Sequence, residues 1–196
     1  MIQTAKNSLV LLFFAGLFFQ SCNKNDVYAT KIKTLDSLSG AVNTHATEMN
    51  KIDTVILAKA ILRFEQYKQF IQQNVKDTVT KSEADFIQQF YTSGKSLSGF
   101  DLNRSSLKAR TSLINSQLEK LKSDAKNNLL PEEKLMEFTD LEKKEANSLI
   151  EVSNKQQQLF YTSLQEFKTA LKGVEYLIKA RNYGQLPTVV KDTLSL

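Results

Sequence analysis

Residues 86–125 read FIQQFYTSGKSLSGFDLNRSSLKARTSLINSQLEKLKSDA, and their spacing decides the fold. Alternating steps of four and three from Phe86 visit 12 positions. Nine of these are apolar: Phe86, Phe90, Leu97, Phe100, Leu107, Ile114, Leu118, Leu121 and Ala125. In an α-helix that spacing gathers side chains into one stripe, and a stripe needs a partner to bury it. The phase survives Gly94 and Gly99. The two glycines are therefore expected to break the middle helix without reversing it, with Asp101 capping the resumed segment.

On the N-terminal side, Thr80-Lys81-Ser82-Glu83 has capping-box form, in which hydroxyl and carboxylate each satisfy an orphan amide at a helix start. Before it, Leu35, Val42, Met49 and Ile56 recur every seven residues, with Leu38, His45 and Ile52 three after the first three. The register then slips by one, to Leu57, Ala60, Phe64, Tyr67 and Ile71. This reads as a helix over 27–75 with an irregularity near Ile52–Ile56, or as two helices with Asp53 starting the second.

On the C-terminal side, Pro131 opens a helix with Glu132 and Glu133 in its first turn. Phe160, Leu164, Phe167, Leu171, Val174 and Ile178 keep the four–three spacing, and Gly184 follows Lys179 and Arg181 as a stop. The spans 27–75, 81–128 and 132–181 would each be roughly 70–75 Å long at 1.5 Å per residue. They predict an all-α fold: an elongated antiparallel up-down-up three-helix bundle, coiled-coil-like, with its body over 27–184. The alternative is a shorter four- or five-helix bundle folded back at Asp53 and at Gly94–Gly99. After Gly184, β-branched residues and Pro187 predict an extended tail over 185–196.

The chain has 196 residues, 41% apolar and 24% charged, with six Gly, two Pro, one Cys, one His and no Trp. One cysteine excludes an internal disulfide, and one histidine excludes paired-histidine metal sites; no metal or cofactor is expected. His45, on the apolar seam, reads as a packing residue. No nucleophile stands in a recognisable catalytic context, so the chain is not expected to be an enzyme. The net charge of +5 is spread among interleaved acids and bases, without the basic stripe that binds nucleic acid.

Residues 1–22 have a separate logic. Lys6 precedes an apolar run from Leu9 to Phe19, 11 residues long, followed by Gln20, Ser21 and Cys22. A membrane span needs roughly 20 apolar residues, so the run reads as a signal-peptide core. This segment resembles the precursor of a bacterial lipoprotein, in which a small residue precedes a cysteine that is lipidated and becomes the new N-terminus. Ser21 fills the small position, while Phe19 stands where that pattern favours Leu. The resemblance implies removal of 1–21, lipid attachment at Cys22 and a short tether over 22–26. It also implies a bacterial cell envelope location, with Asn23 pointing to the outer membrane. A tether of a few residues spans at most about 14 Å, which puts the 127–131 turn near the bilayer and the 76–80 turn far from it.

Of the 14 aromatic residues after Cys22, only Tyr28 and Phe138 fall in the membrane-proximal half of that layout. Tyr91 and Tyr161 each follow a core-spaced Phe, and so are the candidates for an exposed interaction surface. Asn50-Lys51, Arg104 and Ser153–Gln158 coincide at mid-height as polar interruptions that fix register. Together these features predict a lipid-anchored, non-enzymatic tether, spacer or adaptor that binds membrane through its lipid and a protein partner through its surface. The alternative is a binder or sensor of a small apolar ligand at the aromatic-rich end.

Overall fold

The computed structural model describes residues 22–76 and 78–187; the expected signal peptide over 1–21 and the last part of the expected tail, 188–196, lie outside the described residues. Four α-helices follow one another: α1 (Cys22–Asn50), α2 (Thr54–Asn74), α3 (Lys81–Lys126) and α4 (Glu132–Arg181). No strand occurs among the described residues. Among the described residues the fold is an all-helical bundle with four helices; the leading expectation had three, and the additional one starts at the Asp53 cap, as the alternative reading of that segment had it.

The extra helix comes from a break at Lys51–Asp53. The Asp53 carboxylate accepts hydrogen bonds from the amides of Val55 and Ile56 at 2.8 and 3.0 Å, while its own backbone is extended. Such a cap is worth about 1 kcal/mol. The cause is visible in burial: Ile52 is 3% exposed and Leu57 1%. Five residues of continuous helix would set these two about 140° apart, so one of them would face water. Breaking the helix resets the phase and buries both. At its other end the described part of α1 includes residues 22–26.

The expected break of the middle helix at Gly94–Gly99 does not occur; α3 runs unbroken from Lys81 to Lys126. Gly94 serves packing instead. A Cβ there would lie 2.1–2.6 Å from atoms of the Phe64 ring, so the missing side chain makes room for that ring. Gly99 faces open space, and Asp101 is an exposed residue within the helix rather than a cap. Eight of the nine apolar positions on the α3 stripe are buried; Phe86 is partly exposed and lies over Gly173.

The chain divides into two compact units. The first joins the described residues up to His45 with Arg110–Ile150. Its core is aliphatic: Leu35, Leu38 and Val42 meet Ile114, Leu118 and Leu121 from α3, with Leu135, Ala146 and Leu149 from α4. Cross-contacts give the directions. Asp36 pairs with Lys122 at 3.1 Å and Asn43 with Asn115 at 2.8 Å, so α1 and α3 are antiparallel. Tyr28 bonds the Leu130 carbonyl and Lys31 lies by Asp140, so α1 and α4 run parallel.

The second unit joins Ala46–Ala109 with Glu151 onward, and its core is aromatic. Phe90 is stacked on Phe167 at 5.1 Å between ring centres and tilted against Phe64 at 5.5 Å; Phe100 meets Phe160 at 5.0 Å. Such pairs add roughly 0.5–1.5 kcal/mol each beyond their burial. Leu186, in the first described residues of the tail, packs against this core.

The capping box forms as the sequence implies. The Thr80 amide donates to the Glu83 carboxylate at 2.7 Å, and the Glu83 amide donates to the Thr80 hydroxyl at 3.3 Å. Arg181, in the last turn of α4, reaches the same carboxylate at 3.0 Å. The Arg181 hydrogen bond, aided by those from Thr80, holds the Glu83 pKa down at about 2. An unfolded Glu titrates near 4.3. The sign follows from linkage: this carboxylate contributes stability above about pH 4.3 that is lost as pH falls toward 2. Urea midpoints measured from pH 5 to 2 should therefore fall more steeply for the native chain than for Glu83→Gln. Parallel slopes would remove the contribution.

Candidate functional site

Two regions bear on function, and each lies within one unit. In the first unit, α3 ends in a left-handed residue, Asn128 (φ 51°), whose amide bonds the Ala125 carbonyl while the Leu129 amide bonds Asp124 at 2.9 Å. This is a Schellman stop, which usually seats the residue after the left-handed position against an apolar side chain one turn back. Here those positions are Ser123 and Asp124, and Leu129 is left 66% exposed. Leu130 follows, its carbonyl taking the Tyr28 hydroxyl at 2.7 Å, and the Pro131 carbonyl accepts the Leu135 amide to start α4. Pro131 thus caps α4 from one position outside it.

Behind this turn α3 and α4 leave a shallow cavity of about 270 Å³. Lys120 and Leu121 line one wall, Phe138, Leu141 and Glu142 the other, with Leu130 at the end. Phe138 is 37% exposed and Leu141 53%. One Glu142 carboxylate oxygen is buried without a hydrogen-bond partner, and burial, with Glu145 nearby, pushes its pKa up. The exposed Leu129 and this groove escaped the periodicity argument, because apolar residues in a helical chain read as core. The polar pair Ser123-Asp124 opposite Leu129 was the available signal.

In the second unit the two tyrosines sit in different layers. Tyr91 is half-buried rather than exposed: its ring lies edge-on to Phe64 and Phe90, and its hydroxyl reaches the Lys68 carbonyl at 3.4 Å. Burial pushes its pKa up. Tyr161 is exposed beside Phe160. Tyr91 neighbours the Phe90–Phe167 layer and Tyr161 the Phe100–Phe160 layer, ten residues or roughly 15 Å apart along α3. They do not form one patch. The Phe64, Phe90 and Phe167 rings pack against one another, as do those of Phe100 and Phe160.

His45 is half-buried on α1, and no group of three or more His, Cys, Asp or Glu among the described residues is placed to hold a metal. Of the expected polar interruptions, Arg104 Nε and Gln156 Oε1 are buried without a hydrogen bond, the former 3.9 Å from the Asp101 carboxylate, whereas Asn50 and Lys51 are exposed. No helix of the described residues is long and apolar enough to cross a membrane. Comparison with protein-family models, curated proteins and solved structures finds no match to this chain.

Proposed function

We propose that this chain is a lipid-anchored protein of a bacterial cell envelope, sorted to the outer membrane, and that it acts without catalysis as a tether, spacer or protein-binding adaptor. The observation that carries the reading is the placement of Cys22. It is the one cysteine in the chain, and it follows Ser21 and the apolar run 9–19. A helix that includes the lipidated residue would fix the body close to the bilayer. The expected elongated up-down-up order is part of this proposal. Its support lies inside each unit: α1 is antiparallel to α3 through Asp36–Lys122 and Asn43–Asn115, and α2 is antiparallel to α3 through Phe64 at Gly94 and Tyr67 at Phe90. Small-angle scattering characteristic of a compact sphere would remove it.

The test is Cys22→Ala. Each buried methylene of an acyl chain contributes about 0.8 kcal/mol, so loss of the chains should weaken attachment by several powers of ten. Fractionation of cells should show the native protein in the membrane pellet and the variant in the soluble fraction. An unchanged distribution would end the anchoring claim.

A further inference from the structure

We propose that the Leu129–Leu130 turn is a second membrane contact, seated at the headgroup–acyl boundary of the bilayer that holds Cys22. This rests on the anchored reading above and adds lipid acyl chains as the occupant of the turn and of the groove behind it. Three observations converge. Leu129 is two-thirds exposed at the tip of a turn whose usual apolar seat is occupied by Ser123 and Asp124. The turn lies at the end of the first unit where α1 begins: Tyr28 bonds the Leu130 carbonyl, and Cys22 is six residues, roughly 9 Å, beyond Tyr28 along a helix pointing past the turn. An acyl chain on Cys22 and the Leu129 side chain would then meet the same lipid surface. Third, the groove behind the turn is lined by Leu121, Leu130, Phe138 and Leu141, with Gln117, Lys120, Asp124 and Glu142 as its polar members, an amphipathic lining that can take an acyl chain along its apolar side.

Charge is not the driving term. Lys126 and Lys134 alternate with Asp124, Glu132 and Glu133 around the turn, so the contact should persist at high salt. Its strength comes from apolar area withdrawn from water.

The chain contains no tryptophan, which makes a single indole a clean reporter. Leu129→Trp and Leu113→Trp are each prepared as full-length, natively processed protein. Both are reconstituted into phosphatidylethanolamine–phosphatidylglycerol vesicles with brominated acyl chains. Leu113 is also exposed in the first unit, but lies 16 residues earlier on α3, roughly 24 Å away. The proposal expects blue-shifted, several-fold quenched emission from Leu129→Trp and unquenched, water-like emission from Leu113→Trp. Unquenched emission from both overturns it, as does equal quenching of both, which would mean the unit lies flat. Emission from Leu129→Trp that is blue-shifted in whole envelopes yet unquenched by brominated lipid places a protein on the turn and also overturns it. The anchor is read separately: should Cys22→Ala remain on membranes, quenching of Leu129→Trp would still establish the turn as the contact, while its absence would remove both.

Discussion

Phe90→Ala is expected to cost about 3–5 kcal/mol of folding stability, read as a lowered urea midpoint. The ring is fully buried at the centre of the second unit, where it faces Phe64, Tyr67, Tyr91 and Phe167 at centroid distances of 5.5, 6.4, 6.1 and 5.1 Å. Phenylalanine buries at least about 150 Å², and roughly 25 cal/mol per Å² makes the transfer contribution close to 4 kcal/mol before any cavity is counted. Four rigid aromatic neighbours cannot collapse into the space as a flexible aliphatic core would. The same substitution at Phe138, which is 37% exposed in the first unit, should cost only a fraction as much. Equal losses at the two sites would mean that the aromatic cluster is not the centre of the second unit's core.

How much of this was legible beforehand can be argued residue by residue. The stripe on α3 was legible because helical geometry alone converts four–three spacing into one buried face, and Phe90, Leu97, Phe100, Ile114 and Leu118 are buried on it. The capping box was legible because it is a local contact, and so was the stop near Gly184: α4 ends at Arg181 and the Gly184 amide bonds the Lys179 carbonyl at 2.9 Å, although the left-handed turn starts one residue earlier, at Tyr183 (φ 51°). The slip at Ile52–Ile56 was legible as a phase error, but choosing between a distorted helix and two helices required knowing that Ile52 and Leu57 are both buried. Gly94 misled for a related reason. Low helix propensity is a property of the isolated chain, whereas the ring that explains this glycine comes from 30 residues earlier. Tyr91 was expected outside because it follows a core residue. A helix packed against two others has a wide inner face, however, and the position beside the stripe turns toward α2. Leu129 drew no reading from periodicity, because exposure of a leucine is decided by what the turn opposite it offers.

Placing an alanine at Gly94 and at Gly99 should shift stability in opposite directions, although the two positions are five residues apart in one helix. In an unhindered helix interior, Gly→Ala is stabilising by roughly 0.5–1 kcal/mol, because alanine leaves less backbone freedom to lose. Gly99 meets that condition: an added Cβ touches nothing within 4 Å. At Gly94 the methyl would fall 2.1 Å from Phe64 Cδ2 and 2.5 Å from Cγ, closer than any real contact. The Phe64 ring is 2% exposed, lies against Phe90 and Tyr91, and has the Lys68 ammonium over its face at 5.1 Å, so it has little room to retreat. Overpacking of this kind costs about 1–3 kcal/mol, more than the helix propensity gained. The cause can be isolated with a double-mutant cycle. In a Phe64→Ala background, itself destabilised by the lost ring, Gly94→Ala should become neutral or stabilising, since the clashing atoms are gone. If Gly94→Ala were equally harmful with and without the ring, the glycine would be there for a backbone reason, and the account of why α3 runs straight through 94–99 would fail.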